Sequence, residues 1–158
     1  MAANLPRTAI IGAGISGLTS GKMLKDYGVP HTTFELSDRI GGNWAFGNPN
    51  GLSSAYRSLH IDTSKERLSF KDFPIPEHFP SFPHHSDIKA YLDAYADAFG
   101  LLENIEFNNG VQHAARRPDG RWDITDQQCT TREFDLLVVG NRHHWDARYP
   151  DFPGQFTG

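Results

Sequence analysis

The most constraining stretch of this 158-residue chain is "TAIIGAGISG", residues 8–17. A short β-branched run, Thr8 to Ile11, enters a turn with glycines at Gly12, Gly14 and Gly17, and a segment of helical character follows from Ile15 to Tyr27. Each glycine has a separate task. The first permits the tight turn, the second lets backbone approach a pyrophosphate, and the third lets the helix press against the strand. Gly17, Gly21, Leu24 and Gly28 recur at helical spacing. So small a face suits contact with a sheet, despite the cost of glycine inside a helix. "HTTFEL", residues 31–36, reads as a second strand. Strand, glycine turn, helix and strand make one right-handed parallel βαβ unit.

Such a unit points to dinucleotide binding. Unpaired N–H groups and a partial positive charge at the helix N-terminus favour phosphate. Glu35 follows Gly17 by 18 residues, where a carboxylate accepts hydrogen bonds from a ribose and repels a 2′-phosphate. FAD and NAD therefore suit this site better than NADP. In "ELSDRIGGNWAFG", residues 35–47, Gly41 and Gly42 permit backbone approach to a ligand and Trp44 supplies a flat wall. The same residues also read as a glycine turn followed by a core tryptophan.

The remainder supplies the rest of an α/β domain. Residues 73–83, "FPIPEHFPSFP", hold four of the ten prolines and exclude helix and central strand. Phe73, Phe79 and Phe82 within them favour a loop packed on the protein. Ser86 has the chemistry of an N-cap, Ile88, Tyr91, Leu92, Tyr95 and Phe99 form one helical stripe, and Gly100 occupies the stop position. "VQHAARRPDGRWDIT" reads as two strands about a Pro-Asp-Gly turn. "FDLLVVG", residues 134–140, is continuously apolar and suits a strand buried on both faces of a parallel sheet. The expected architecture is a Rossmann-like three-layer dinucleotide-binding domain over residues 1–158, with a parallel sheet and a small antiparallel β-meander.

Composition narrows the classes. A net charge of −4 gives no reason to expect nucleic acid or an anionic membrane as partner. The longest apolar run, "TAIIGAGISGL", is too short to span a bilayer and is broken by glycine. The N-terminus lacks the regions of a signal peptide. Cys129 is the single cysteine, so no internal disulfide or Cys-x-x-Cys centre can form, and a cytoplasmic location is expected. His84–His85 and His143–His144 are adjacent pairs, a spacing that does not suit one metal ion, and no metal is expected.

The motifs Gly12-x-Gly14-x-x-Gly17, Glu35, Gly41-Gly42-x-Trp44, "SLHIDTSKERLSFKDFPIPEHFPSF", "YLDAYADAFGL" and "FDLLVVGNRHHWDARYPDFPGQFTG" together resemble the flavin-containing monooxygenase family. The likeness runs over essentially all 158 residues. It implies FAD as bound cofactor and NADPH as hydride donor. It also implies dioxygen captured as a flavin C4a-hydroperoxide, and a small substrate with a soft nitrogen or sulfur nucleophile. FAD contacts are implied at Gly12, Gly14, Ile15, Ser16, Gly17, Glu35, Leu36, Arg39, Gly42, Asn43, Trp44, His60, Thr63 and Val111, and a catalytic position at Asp62.

Two positions depart from the family pattern. Asp62 stands where many members carry asparagine, and a carboxylate donates a hydrogen bond only when protonated. Asp62 also reads as the cap of a turn with Thr63 and Ser64. Arg142 stands where the family usually has glycine before histidine. It either strains the loop or pairs with pyrophosphate. "FTG", residues 156–158, matches the start of the fingerprint that introduces an NADPH-binding domain. The chain is accordingly expected to be the N-terminal fragment of a flavoprotein with two dinucleotide domains. The absent C-terminal part or a second copy is then a natural partner. A non-catalytic FAD-binding or interaction fragment and a Baeyer–Villiger-type monooxygenase are the alternatives.

Overall fold

The computed structural model describes residues 5–141 and 150–154. Arg142, His143, His144, Trp145 and the terminal "FTG" lie outside the described residues. Strand β1 (Thr8–Ile11), helix α1 (Ile15–Asp26) and strand β2 (His31–Phe34) form the parallel unit expected from the glycine turn. Two short elements follow: a 3₁₀ turn at Gly42–Trp44 and the one-turn helix α2 (Lys65–Leu68). The long helix α3 (His85–Ala98) precedes a two-residue strand β3 (Ile105–Glu106). Strands β4 (Val111–Arg116), β5 (Trp122–Asp126) and β6 (Thr131–Phe134) make an antiparallel meander before β7 (Leu136–Val139) returns to the first sheet.

The parallel sheet runs β3-β2-β1-β7 and the second sheet β4-β5-β6. Alternation along β1 sets up three layers. Ala9 and Phe34 face the meander and pack with its Ile124 and Phe134, all at most 2% exposed. Ile10 points the other way, against α1. Behind α1, Leu18 joins Ile88, Tyr91, Leu92 and Tyr95 of α3 in the larger apolar cluster. The domain is thus an α/β sandwich with helices on one face of the parallel sheet and a small sheet on the other, the Rossmann-like three-layer arrangement expected.

Four local expectations are corrected. The N-cap of α3 is His84, two residues before Ser86. Its Nδ1 accepts the Ser86 N–H at 3.3 Å while Asp87 Oδ2 accepts the His84 N–H at 3.0 Å, a reciprocal box that only this register allows. Gly28 lies past the end of α1 at φ +67°, with open space where a Cβ would stand, so it ends the helix rather than packing it. The apolar run 134–140 is two strands. Phe134 pairs with Trp122 in the meander, and Asp135 then ties back to Arg7, donating its N–H to the Arg7 carbonyl and accepting the Arg7 N–H. Finally, β7 is the edge strand of the described sheet and pairs with β1 alone, which leaves Leu136 and Val139 47% and 61% exposed.

The proline-rich loop is packed as its phenylalanines suggested, except Phe82, which is exposed. Lys65 Nζ holds it by donating to the carbonyls of Glu77 and Phe79, each at 2.7 Å. The Tyr91 hydroxyl accepts the Phe70 N–H at 2.9 Å and donates to the Phe73 carbonyl at 2.5 Å, fixing both phenylalanines over α3.

Burial also makes this region pH-sensitive. His85 is 6% exposed, with its ring centroid 4.9 Å from Phe46 and 4.0 Å from His84. Desolvation, and then the neighbouring His84, hold its pKa below the ordinary histidine value. The folded chain therefore binds fewer protons here than the unfolded chain. The associated stability is complete above the unfolded pKa of about 6.5 and is lost as pH falls towards the lowered folded value. The unfolding midpoint should drop as pH falls below about 6.5, and His85→Phe should flatten that slope. An unchanged slope in the variant would assign the effect to another group.

Candidate functional site

The C-terminal ends of the parallel strands carry a cavity of about 680 Å³, within the usual range for a small-molecule site. It lies where the glycine turn leaves β1. Gly12 adopts φ +92°, and its N–H donates to the Phe34 carbonyl at 2.8 Å, so the turn is bonded to the end of β2. Gly140, at the end of β7, donates to the Ile11 carbonyl at 2.8 Å on the other side. The floor is therefore backbone drawn in from three adjacent strand ends.

Gly17 is the position that makes this possible. A Cβ there would stand 1.8 Å from the Gly12 carbonyl oxygen, well inside van der Waals contact. Only glycine lets the first turn of α1 close on the strand it has just left. The helix then begins with Gly14 as N-cap, no side-chain capping bond and no acidic residue in its first turn. Its early N–H groups and the positive end of its dipole are thus open to an anion. Among the described residues no lysine or arginine lines the cavity, so what they offer a phosphate is this backbone.

Glu35 stands immediately after β2 and is 7% exposed. Its Oε2 accepts the Ala13 N–H at 2.6 Å and its Oε1 accepts the Ser37 N–H at 2.8 Å. The carboxylate thereby braces the middle of the glycine turn and the start of the next loop at once. Each oxygen retains a lone pair for a hydroxyl donor from the cavity.

Gly41 and Gly42 are both left-handed, at φ +108° and +53°, and bring the following loop beside Gly14. A Cβ on Gly42 would lie 3.1 Å from the Gly14 Cα, and one on Gly41 would lie 2.8 Å from Lys89 Cδ, so both positions are tight without any ligand. Trp44 serves both of its sequence readings, lining the cavity and packing on the α3 cluster. Asn43 is a strut. Its Oδ1 accepts from both the N–H and the hydroxyl of Ser54, at 2.9 and 2.7 Å, and its carbonyl accepts the Ser53 hydroxyl at 2.8 Å.

Of the positions singled out from sequence, Gly12, Gly14, Ile15, Ser16, Glu35, Leu36, Gly42, Asn43, Trp44 and Val111 line this one cavity. Gly17 sits beneath it. Arg39, His60, Asp62 and Thr63 do not line it. Arg39 makes a two-pronged pair with its neighbour Asp38, at 2.6 and 2.9 Å. His60 forms a bridge with His84 beside α3. Asp62 and Thr63 are exposed, and neither gives α2 a side-chain cap. Arg142 lies outside the described residues.

Lining residues absent from the sequence reading include Asn48, Asn50, Leu52 and Ser53, from the loop that Asn43 straps down, together with Gln112 and Gly140. Gly140 had a signal: the strand beside β1 must end next to the glycine turn. The loop 48–53 had none, because no spacing rule brings it over the cavity.

Comparison with known proteins gives a consistent result. The flavin-binding monooxygenase-like family model matches residues 6–158. Flavin-containing monooxygenase 5 of Cavia porcellus is 42% identical over 159 residues, covering 94% of this chain and 30% of the relative. Flavin-containing monooxygenase 3 of Macaca mulatta is 41% identical with the same coverage. The solved S-allyl-L-cysteine S-oxygenase from Allium sativum superimposes with a TM-score of 0.85 at 27% identity, over 95% of this chain and 39% of that structure. The chain spans about 30% of the length of the curated relatives it matches.

Gly17→Ala should destabilise the fold by about 1–3 kcal/mol, because the new methyl meets backbone that cannot step aside. Gly21→Ala should cost less, since the nearest atoms to its Cβ are side-chain ones, of His31 at 3.3 Å and Ile10 at 3.8 Å. Denaturant unfolding of both variants checks the order.

Proposed function

This chain belongs to the flavin-binding monooxygenase-like family, and we propose that it is the FAD-binding portion of an NADPH-dependent monooxygenase that oxygenates soft nitrogen or sulfur nucleophiles. The observation that carries the reading is the meeting, in one cavity, of an uncapped helix N-terminus, a three-glycine turn and a buried carboxylate. That combination fits a dinucleotide with no 2′-phosphate. Curated relatives named as flavin-containing monooxygenases and a structural neighbour named as an S-oxygenase support the reaction class.

The residues divide the work by chemistry. Gly14, Ile15 and Ser16 offer backbone N–H groups to a diphosphate at the helix N-terminus, and Gly12 and Gly17 belong to the same proposal as the glycines that let this backbone come close without the clash of side chains. Glu35, anchored by two N–H donors, presents fixed acceptors to ribose hydroxyls. Leu36, Gly42, Asn43, Trp44 and Val111 supply the walls. Arg39, His60 and Thr63 belong to the same proposal as outer contacts, and Asp62 as the side chain nearest the reaction. FAD, reduced by NADPH, supplies the activation of dioxygen. The protein binds and orients the flavin and excludes water around it. Among the described residues no helix is long and apolar enough to cross a membrane, and the proposed site of action is the cytoplasm. The whole domain, residues 1–158, is read as one FAD-binding unit.

Titration of the purified chain with FAD tests this. A flavin spectrum with about one FAD per chain is expected. Glu35→Gln should weaken uptake by roughly 10- to 100-fold, because its amide nitrogen is a donor facing the Ala13 or Ser37 N–H and loses a charge-assisted acceptor. A folded chain that takes up no FAD would overturn the proposal. Flavin uptake without NADPH oxidation would correspond to a non-catalytic FAD-binding module.

A further inference from the structure

The chain contains two Asn-Gly dipeptides, Asn50-Gly51 and Asn109-Gly110, which both touch the cavity but differ in that Gly51 is exposed and Gly110 buried. Where glycine follows asparagine, no Cβ hinders the backbone nitrogen from reaching the asparagine side chain. We infer that Asn50 is a site of spontaneous covalent modification in the cavity wall, while Asn109, with the same local sequence, is protected.

The chemistry needs only water. The Gly51 backbone nitrogen attacks the Asn50 side-chain carbonyl carbon, giving up its proton. The new C–N bond closes a succinimide, the bond to the amide nitrogen breaks, and ammonia leaves with that proton. Water then opens the ring at one of its two carbonyls, leaving aspartate or isoaspartate. One neutral amide becomes one carboxylate.

The surroundings decide which dipeptide can do this. Gly51 is exposed at φ +70°, with nothing within 4 Å of its open side. Its N–H makes one bond, to the Asn48 carbonyl at 3.0 Å, in a surface turn. Asn50 Oδ1 accepts the Leu52 N–H at 3.0 Å, which keeps the side chain folded over its own backbone and polarises the carbonyl under attack. Asn109, by contrast, donates its amide to Glu106 Oε2 at 2.8 Å and lies 3.4 Å from Asp126 Oδ2. Gly110 is buried, its N–H is bonded to Gln127 Oε1 at 3.2 Å, and Leu36 stands 2.7 Å from where a Cβ would be. Closing a ring there means breaking side-chain bonds inside a packed corner. Asn48, also in the loop, is followed by Pro49 and has no N–H to attack it.

Asn50 lines the same cavity as the helix N-terminus and Glu35. Its conversion adds a negative charge to the wall, and the isoaspartate form adds a backbone carbon to a loop held by Asn43. The modification itself stands apart from the cofactor. Its consequence, a weaker grip on a polyanionic ligand as the protein ages, rests on the FAD reading.

The experiment is peptide mapping of the folded chain after incubation in mildly alkaline buffer, with and without FAD and alongside a urea-unfolded sample. Trypsin separates the two sites into residues 40–57 and 90–116. In the folded chain, Asn50 should gain the mass of an amide-to-acid change roughly tenfold faster than Asn109, while unfolding brings the two rates together. Asn50→Ala should abolish the change in the first peptide. Asn109 keeping pace with Asn50 in the folded chain would overturn the inference, as would a folded Asn50 that stays intact while the unfolded one reacts. FAD should slow the reaction at Asn50. Flavin that binds without slowing it would remove Asn50 from the ligand-facing wall. A chain that binds no flavin fails the FAD reading alone, and the mass comparison still decides the modification.

Discussion

The closure of α1 onto the end of β1, through the missing side chain of Gly17, is the contact on which the rest of the structure depends. The Gly12 carbonyl fills the space a methyl would take. From that approach follow the seating of Gly21 against the sheet and the contact between Leu18 and the α3 cluster. The helix N-terminus also comes to point into the crevice at the strand ends. An α-helix set back by the thickness of one methyl would keep its dipole, but its first N–H groups would no longer form part of the cavity floor.

Glu35 makes the turn and the site one object. A buried carboxylate is costly unless its oxygens are satisfied, and here two backbone N–H groups satisfy it while being satisfied in return. Charge at this position is therefore structural before any ligand arrives. A residue that braces its own binding loop cannot be swapped for a neutral one without loosening the floor it stands on. That coupling makes the fold and the cavity floor inseparable in this chain.

The two sheets are joined by polar as well as apolar contacts. Arg132 of β6 makes paired bonds to Glu106 of β3, at 2.7 and 2.6 Å, with its guanidinium 4.5 Å from the Phe34 ring centre. Arg132 holds Glu106 below the usual carboxylate range. Arg7 lies 5.2 Å from the Phe134 ring centre. These planar cations cap the small core of Ala9, Phe34, Ile124 and Phe134. They also fix the meander beside the cavity, so that Val111 and Gln112 form part of its wall.

How much of this was legible in the sequence depended on the range of the physics involved. The βαβ unit, the stripe of α3 and the Pro-Asp-Gly hairpin are products of local periodicity and glycine or proline stereochemistry, and all three could be read. What could not be read has longer-range causes. Strand β3 is two residues long and exists only because β2 offers it an edge. The split of the apolar run at Asp135 comes from its bonds to Arg7, 128 residues away. The cap of α3 moved from Ser86 to His84 because Asp87 pairs with one register and not the other. The sequence by itself determined the glycine turn, its helix and the carboxylate beside them, because each follows from backbone sterics and chain spacing alone. Only the tertiary structure decided that the loop 48–53 would face that turn, that Asp62 and His60 would stand apart from it, and which Asn-Gly would be sheltered. Those outcomes depend on contacts between segments whose separation no local rule encodes.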